Sequence, residues 1–276
     1  MPNIRAYERP TSLEDALRRL HENPRAVPLA GGTALVAYGV PAEEATLVDI
    51  SELPLDDIEA HEDRLVLDAL ASLETLARHE AVRAFAGGVL AQAAHAEATS
   101  LLRQQGRLAG ALLVNLAHSE LVPALLALDA RVTVQHLEGP RVLPLADFYA
   151  DVAAALGRGL IVRVDVPAPP PGTVARRQRV ARAPRDRAIL SVACVARVAE
   201  GRVDLVRLAA SGVGEVPRRL AEVERALRGV PATPEAVQAA AATAVATLSL
   251  PDDHRASAEY RRGVLPVLIR RGILGA

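Results

Sequence analysis

The chain has 276 residues, half of them hydrophobic and 24% charged, with a formal net charge of −1 at neutral pH. This suits a globular protein large enough for two or three subdomains; the near-zero charge and the 2% aromatic content exclude a broad basic field and a base-stacking surface, so no nucleic-acid partner is expected. The single cysteine, Cys194, excludes a disulfide framework and an intrinsic iron–sulfur cluster.

All 32 basic residues are arginines. Schiff-base chemistry and a P-loop lysine are thereby removed, which leaves guanidinium groups and backbone amides to hold phosphate. No apolar stretch reaches the length of a membrane span, and the start, Met1 to Arg5, lacks the apolar core of a secretion signal. A cytoplasmic protein is expected.

Ile4 to Tyr7 reads as extended. Thr11 and Glu14 then have capping-box spacing ahead of a helix carrying Leu13, Leu17 and Leu20, which Asn23-Pro24 stops. Ala26 to Ala30 reads as a strand, Gly31-Gly32 as its turn, Ala34 to Val40 as a short helix or extended run, and Thr46 to Ile50 as the next strand. A second unit follows. It holds a hairpin over Ile58 to Leu67, a helix beginning at Ser72, an Ala-rich helix over Phe85 to Ala98, and an apolar stretch from Gly106 to Asn115 broken by Gly106 and Gly110. A buried helix over Pro123 to Ala130 comes next, then strands at Arg131 to His136, Val142 to Leu145 and Leu160 to Val166.

Pro167 to Gly172 carries four prolines and reads as a linker. Beyond it, Arg187 to Val198 and Arg202 to Ala210 alternate like paired strands around Glu200-Gly201. Helices follow over Arg218 to Arg228, Pro234 to Leu248 and Tyr260 to Arg270. Strands followed by helices imply a sheet covered on one face. Cys194 sits in an apolar run and reads as a packed thiol.

The segment Val27-Pro28-Leu29-Ala30-Gly31-Gly32-Thr33-Ala34-Leu35 is the most suggestive. Adjacent glycines allow consecutive N–H groups to face an anion. Ala30-Gly31-Gly32-Thr33, Leu47-Val48-Asp49-Ile50 and Leu125-Leu126-Ala127-Leu128-Asp129-Ala130 stand in this order. They are followed by Arg182, Asp186-Arg187-Ala188-Ile189, Pro217-Arg218-Arg219, Glu224, Leu227-Arg228-Gly229 and Ser257 to Arg262. The series resembles the flavin-binding medium subunit of molybdenum hydroxylases, the family of aerobic carbon monoxide dehydrogenase and xanthine dehydrogenase-type enzymes.

The resemblance implies an α+β protein: a two-subdomain FAD-binding fold of the vanillyl-alcohol oxidase or PCMH type over residues 1–53 and 54–170, plus a C-terminal α+β domain over 171–276, an antiparallel sheet covered by helices. It implies FAD between the first two subdomains with its pyrophosphate on two glycine turns, electrons arriving from a [2Fe–2S] small subunit fed by a molybdopterin large subunit, and NAD or a quinone-type acceptor receiving them. The implied assembly is a hetero-oligomer, a dimer of heterotrimers, with self-association of the isolated chain. The cofactor would carry the chemistry, so no general acid, base or metal ligand is named.

The implied cofactor-binding residues are Ala30, Gly31, Gly32, Thr33, Ala34 and Leu35 in the first turn, Arg107, Leu108, Ala109, Gly110 and Ala111 in the second, and Glu120 and Arg179. The second turn departs from the family pattern of Thr, an apolar residue, Gly, Gly and Asn: Leu108 keeps the apolar position, and of the Thr, two Gly and Asn only Gly110 survives. Ala109 permits backbone contact if its φ is negative and obstructs it if positive. Arg107 reads as a compensating charge for the pyrophosphate or as a solvated surface arginine. Arg179 stands where many relatives have a lysine near the flavin ring, and Glu120 replaces the usual aspartate. The altered turn also raises a second reading, a subunit of the same fold that has lost FAD and serves structure or assembly, and a third, a stand-alone flavin oxidoreductase.

Elsewhere the histidines show no zinc spacing, and Asp252-Asp253 reads as a solvated loop with one aspartate capping the next helix.

Overall fold

A computed structural model describes residues 4–41, 43–184 and 186–275. The fold is α+β, built on three sheets taken in chain order. The first is a parallel sheet of β1 (Ile4–Glu8), β2 (Ala26–Leu29) and β3 (Ala45–Asp49), with β3 in the middle. Parallel neighbours need crossovers, and these are the helices Leu13–Glu22 and Thr33–Tyr38. Ser12, not Thr11, caps the first helix: its hydroxyl accepts from the Asp15 N–H at 3.1 Å. Ala16, Leu17 and Leu20 are the buried face, as the spacing requires.

The second sheet is antiparallel and runs β4-β5-β8-β6-β7, from β4 (Ile58–Ala60), β5 (Arg64–Asp68), β6 (Arg131–His136), β7 (Gly139–Pro144) and β8 (Leu160–Pro167). Between β5 and β6 the chain makes a run of short helices that pack their leucines and alanines onto this sheet. The expected helix over Phe85 to Ala98 is interrupted. Ala86, Gly87 and Gly88 have left-handed backbone, with φ of 48°, 66° and 73°, and the α-helix spans Val89–Glu97.

The third sheet runs β12-β11-β10-β9, from β9 (Val174–Val180), β10 (Leu190–Ala199), β11 (Arg202–Ser211) and β12 (Arg218–Arg219). The sequence reading assigned no strand to β9, which carries Arg176, Arg177 and Arg179. It also expected one covered face, and both are covered. In β10, Val192, Cys194 and Ala196 pack with the C-terminal helices Ala221–Leu227, Pro234–Ala246 and Ala258–Leu274. Ala193 and Val195 pack instead into the core of the middle unit. Alternate residues of one strand thus serve two cores, which makes the run uniformly apolar. Cys194 lies against Gly272, where a β-carbon would fall 2.9 Å from the Cys194 β-carbon; burial pushes its thiol up to about 12.

Several family-like motifs are the ties between these layers. Asp129 receives Arg207 at 3.0 Å and also pairs with Arg219. Arg219 forks onto Glu224 at 2.8 and 2.9 Å, and Glu224 accepts the Leu208 N–H at 2.7 Å. Arg261, 1% exposed, binds the Pro251 and Ala256 carbonyls and both oxygens of Asp253. Asp253 is therefore an ion-pair partner, and the cap of the last helix is Ser257.

Candidate cofactor-binding site

The first glycine turn leaves β2 and enters the helix Thr33–Tyr38. Its floor is the parallel pairing with β3, where the Ile50 N–H reaches the Leu29 carbonyl at 2.8 Å. Asp49 closes that floor. Burial raises its carboxyl, but hydrogen bonds from Tyr7, Ser51 and Arg9 outweigh this and hold it at about 2.

Gly32 is left-handed with φ +68°, which a glycine adopts without steric cost. Gly31 is required for another reason: a β-carbon there would sit 1.6 Å from the Gln105 carbonyl oxygen and 3.4 Å from the Gly106 nitrogen. The turn is thus seated on the backbone that leads into the second segment.

Among the described residues, the N–H groups of Gly31, Gly32, Thr33, Ala34 and Leu35 donate to nothing within the chain, and no side chain caps the helix. Five successive donors on half-buried residues are thus left available to an anion. Ala30 packs at the end of β2, and Leu35 packs against the residues Val27, Ala45 and Leu47. The rest of the helix is open, with Val36 88% and Tyr38 63% exposed.

The second segment is built differently from the expected turn. Residues Leu108–Val114 are an α-helix running through Gly110, with Arg107 at its N-cap position. Hydrogen bonds stitch its start to the preceding loop: Leu73 N–H to Gly106 O at 3.0 Å, Leu108 N–H to Ala71 O at 3.0 Å, and Ala109 N–H to Ala69 O at 2.9 Å. Ala111 donates to Arg107 O at 3.0 Å. Leu108 and Leu112 are fully buried and hold the helix against the core in spite of its glycine.

Ala109 has a helical backbone, so its methyl is unstrained, yet its N–H is spent. Within Leu108 to Ala111 only the Gly110 N–H remains. Arg107 is half-buried; its Nη1 donates to the Leu70 carbonyl at 3.3 Å, and its Nε is buried with no partner.

Glu120 and Arg179 come together, in a cluster centred on a residue the sequence reading missed, Arg177. The Glu120 carboxylate, 1% exposed, pairs with Arg177 and lies 3.0 Å from Arg179 Nε, while Ser191 Oγ is at 3.5 Å. Burial raises this carboxyl, and the two guanidinium groups offset that rise only in part. Arg179 spends its terminal nitrogens on the carbonyls of Pro184 at 3.1 Å and Asp186 at 2.5 Å. Glu120 thus fastens β9 to the middle unit, and neither residue presents a free charge in this arrangement.

Glu97 was also missed. One of its carboxylate oxygens accepts from Ser119 Oγ at 3.0 Å and from the N–H groups of Glu120 at 2.7 Å and Leu121 at 2.8 Å, securing the start of the helix Leu121–Ala127. Its partners lie 22 to 24 positions away, beyond any local spacing rule. His118 accepts at Nε2 from Arg187 at 2.6 Å; burial, Arg187 and Arg255 bring it down to about 4, so it is neutral at physiological pH. A cleft of about 470 Å³ beside Arg177, Gly88 and His95 contains no residue of either glycine-bearing segment.

The residues present fit a dinucleotide diphosphate at the first turn, through the unspent N–H groups and the left-handed Gly32. The second segment offers one N–H and a guanidinium.

Comparison with known proteins agrees with this architecture. Residues 2–169 match the family model described as the FAD binding domain in molybdopterin dehydrogenase. Residues 176–276 match the CO dehydrogenase flavoprotein C-terminal domain. The chain is similar to the nicotine 6-hydroxylase medium subunit of Paenarthrobacter nicotinovorans, 30% identical with 100% of this chain and 98% of the relative covered. It is also similar to the carbon monoxide dehydrogenase medium chain of Hydrogenophaga pseudoflava, 28% identical over 98% and 96%.

Among solved structures, carbon monoxide dehydrogenase from Hydrogenophaga pseudoflava lacking the Mo-pyranopterin moiety superposes with a TM-score of 0.87 at 26% identity, covering 99% of this chain and 96% of that one. By these matches the chain belongs to the family of FAD-binding medium subunits of molybdenum hydroxylases, an oxidoreductase-subunit family.

Proposed function

We propose that this chain binds FAD on the turn Ala30 to Leu35 and serves as the electron-transfer subunit of a molybdenum hydroxylase complex. The observation that carries the reading is the run of five uncommitted N–H groups from Gly31 to Leu35, which passes through the left-handed Gly32. Bound FAD supplies two-electron redox chemistry; the chain supplies anchoring and orientation.

In this reading an iron–sulfur small subunit delivers electrons that a molybdopterin large subunit has taken from substrate, and NAD or a quinone-type acceptor removes them. The assembly is a cytoplasmic hetero-oligomer, a dimer of heterotrimers. No helix among the described residues is long and apolar enough to cross a membrane.

A specific observation favours the second reading, a same-fold subunit without flavin: Leu108, Ala109 and Ala111 have already spent their N–H groups inside the chain. Purification separates the two. Near-stoichiometric flavin absorbance, with two further polypeptides co-purifying from the native host, is the expected result. Colourless protein that refuses added FAD supports the structural role instead. Full turnover by the isolated chain without a cluster-bearing partner points to a stand-alone flavin oxidoreductase.

A further inference from the structure

We infer that the Arg107 guanidinium is the second half of the anion cradle, binding the diphosphate of the dinucleotide where the second segment lacks backbone and hydroxyl donors. This rests on the FAD reading above. Arg107 occupies the N-cap position of the helix Leu108–Val114 without capping it. Three of the four N–H groups that follow are consumed by Ala71, Ala69 and Arg107 carbonyls, so the backbone alone makes a poor anion site.

The guanidinium has capacity to spare. Its one described bond is the 3.3 Å contact to Leu70, its Nε is buried and unpartnered, and no carboxylate among the described residues pairs with it. The group is half-buried and its Nη2 makes no described bond, so an anion can take it as a charge-assisted donor. The planar fork of arginine suits two diphosphate oxygens at once.

Placement agrees: Gly31 rests on the Gln105 carbonyl and the Gly106 nitrogen, one residue before Arg107. The first turn contributes donors, the second segment contributes charge, and the backbones of the two segments touch at that contact.

The test is titration of flavin-free full chain with FAD, with riboflavin, and with inorganic pyrophosphate as competitor, at low and high salt. Arg107→Gln is expected to weaken FAD binding by about ten- to a hundredfold. It should also flatten the salt dependence, leave riboflavin unchanged and relieve pyrophosphate competition, and Arg107→Lys should recover part of the loss. Arg107→Gln that binds FAD within about twofold of wild type, with the same salt dependence, overturns the inference and leaves the FAD reading standing. Wild-type protein that takes up no FAD overturns the FAD reading and this inference with it. If Arg107→Gln fails to fold, wild-type and Arg107→Lys affinities decide: equal values with no salt dependence overturn the inference, and a weaker, salt-sensitive lysine variant supports it.

Discussion

The two glycine-bearing segments, Ala30 to Leu35 and Arg107 to Ala111, are both expected as turns of one cradle and differ in what folding leaves to them. The first follows a parallel strand, turns through a left-handed glycine, and keeps its N–H groups unspent. The second starts a helix whose N–H groups are stitched to Ala69 and Ala71. A glycine marks a ligand site only where the backbone around it has donors left over. Gly31 and Gly110 embody the difference: an added β-carbon collides with Gln105 at the first and meets nothing within 4 Å at the second.

The largest expected effect is therefore Gly31→Ala. The obstacle is a backbone carbonyl that cannot rotate away, so the turn must lift from the second segment at a cost of about 3 kcal/mol, with FAD uptake lost. Urea unfolding together with flavin content checks this; a stable, flavin-loaded variant would break the comparison.

Asp49→Asn probes the floor of the first turn alone. With the folded carboxyl at about 2 against an ordinary value of 3.8, the charged form is favoured by folding. Its contribution of about 2 kcal/mol is present above the ordinary pKa and is lost as pH falls through the folded one. Wild type should thus exceed the variant in stability at pH 7, and the gap should close as pH approaches 2. A gap that is constant with pH contradicts the assigned ion-pair geometry.

Gly110→Ala should have the smallest effect and the opposite sign. In an exposed helical position with free space, alanine stabilises by about 0.5–1 kcal/mol. FAD affinity should change little. Destabilisation would show that the second segment needs a glycine after all.

The limits of the sequence as a guide follow the same physics. Leu13, Leu17 and Leu20 announced their helix because one face meets one core. The alternation around Glu200-Gly201 announced the β10–β11 pair, although it concealed that β10 feeds two cores. Strand β9 escaped because Arg176, Arg177 and Arg179 look like solvated charge; their partners are the carbonyls of Gly272 and Ile273, the Glu120 carboxylate, and the loop at Pro184 and Asp186. The helix runs through Gly110 because burial of Leu108 and Leu112 outweighs the glycine penalty, a tertiary fact that the local pattern does not carry. The first turn was legible in outline. Its seat on Gln105 joins positions 74 residues apart, and no local pattern encodes that contact.

Amide hydrogen exchange with and without FAD tests the central claim most directly. The N–H groups of Gly31 to Leu35 should exchange freely in the flavin-free chain and become protected when FAD is added, while those of Leu108, Ala109 and Ala111 should be protected in both states. Bound FAD that leaves exchange at Gly31 to Leu35 unchanged would contradict the assignment of the first turn as the diphosphate cradle.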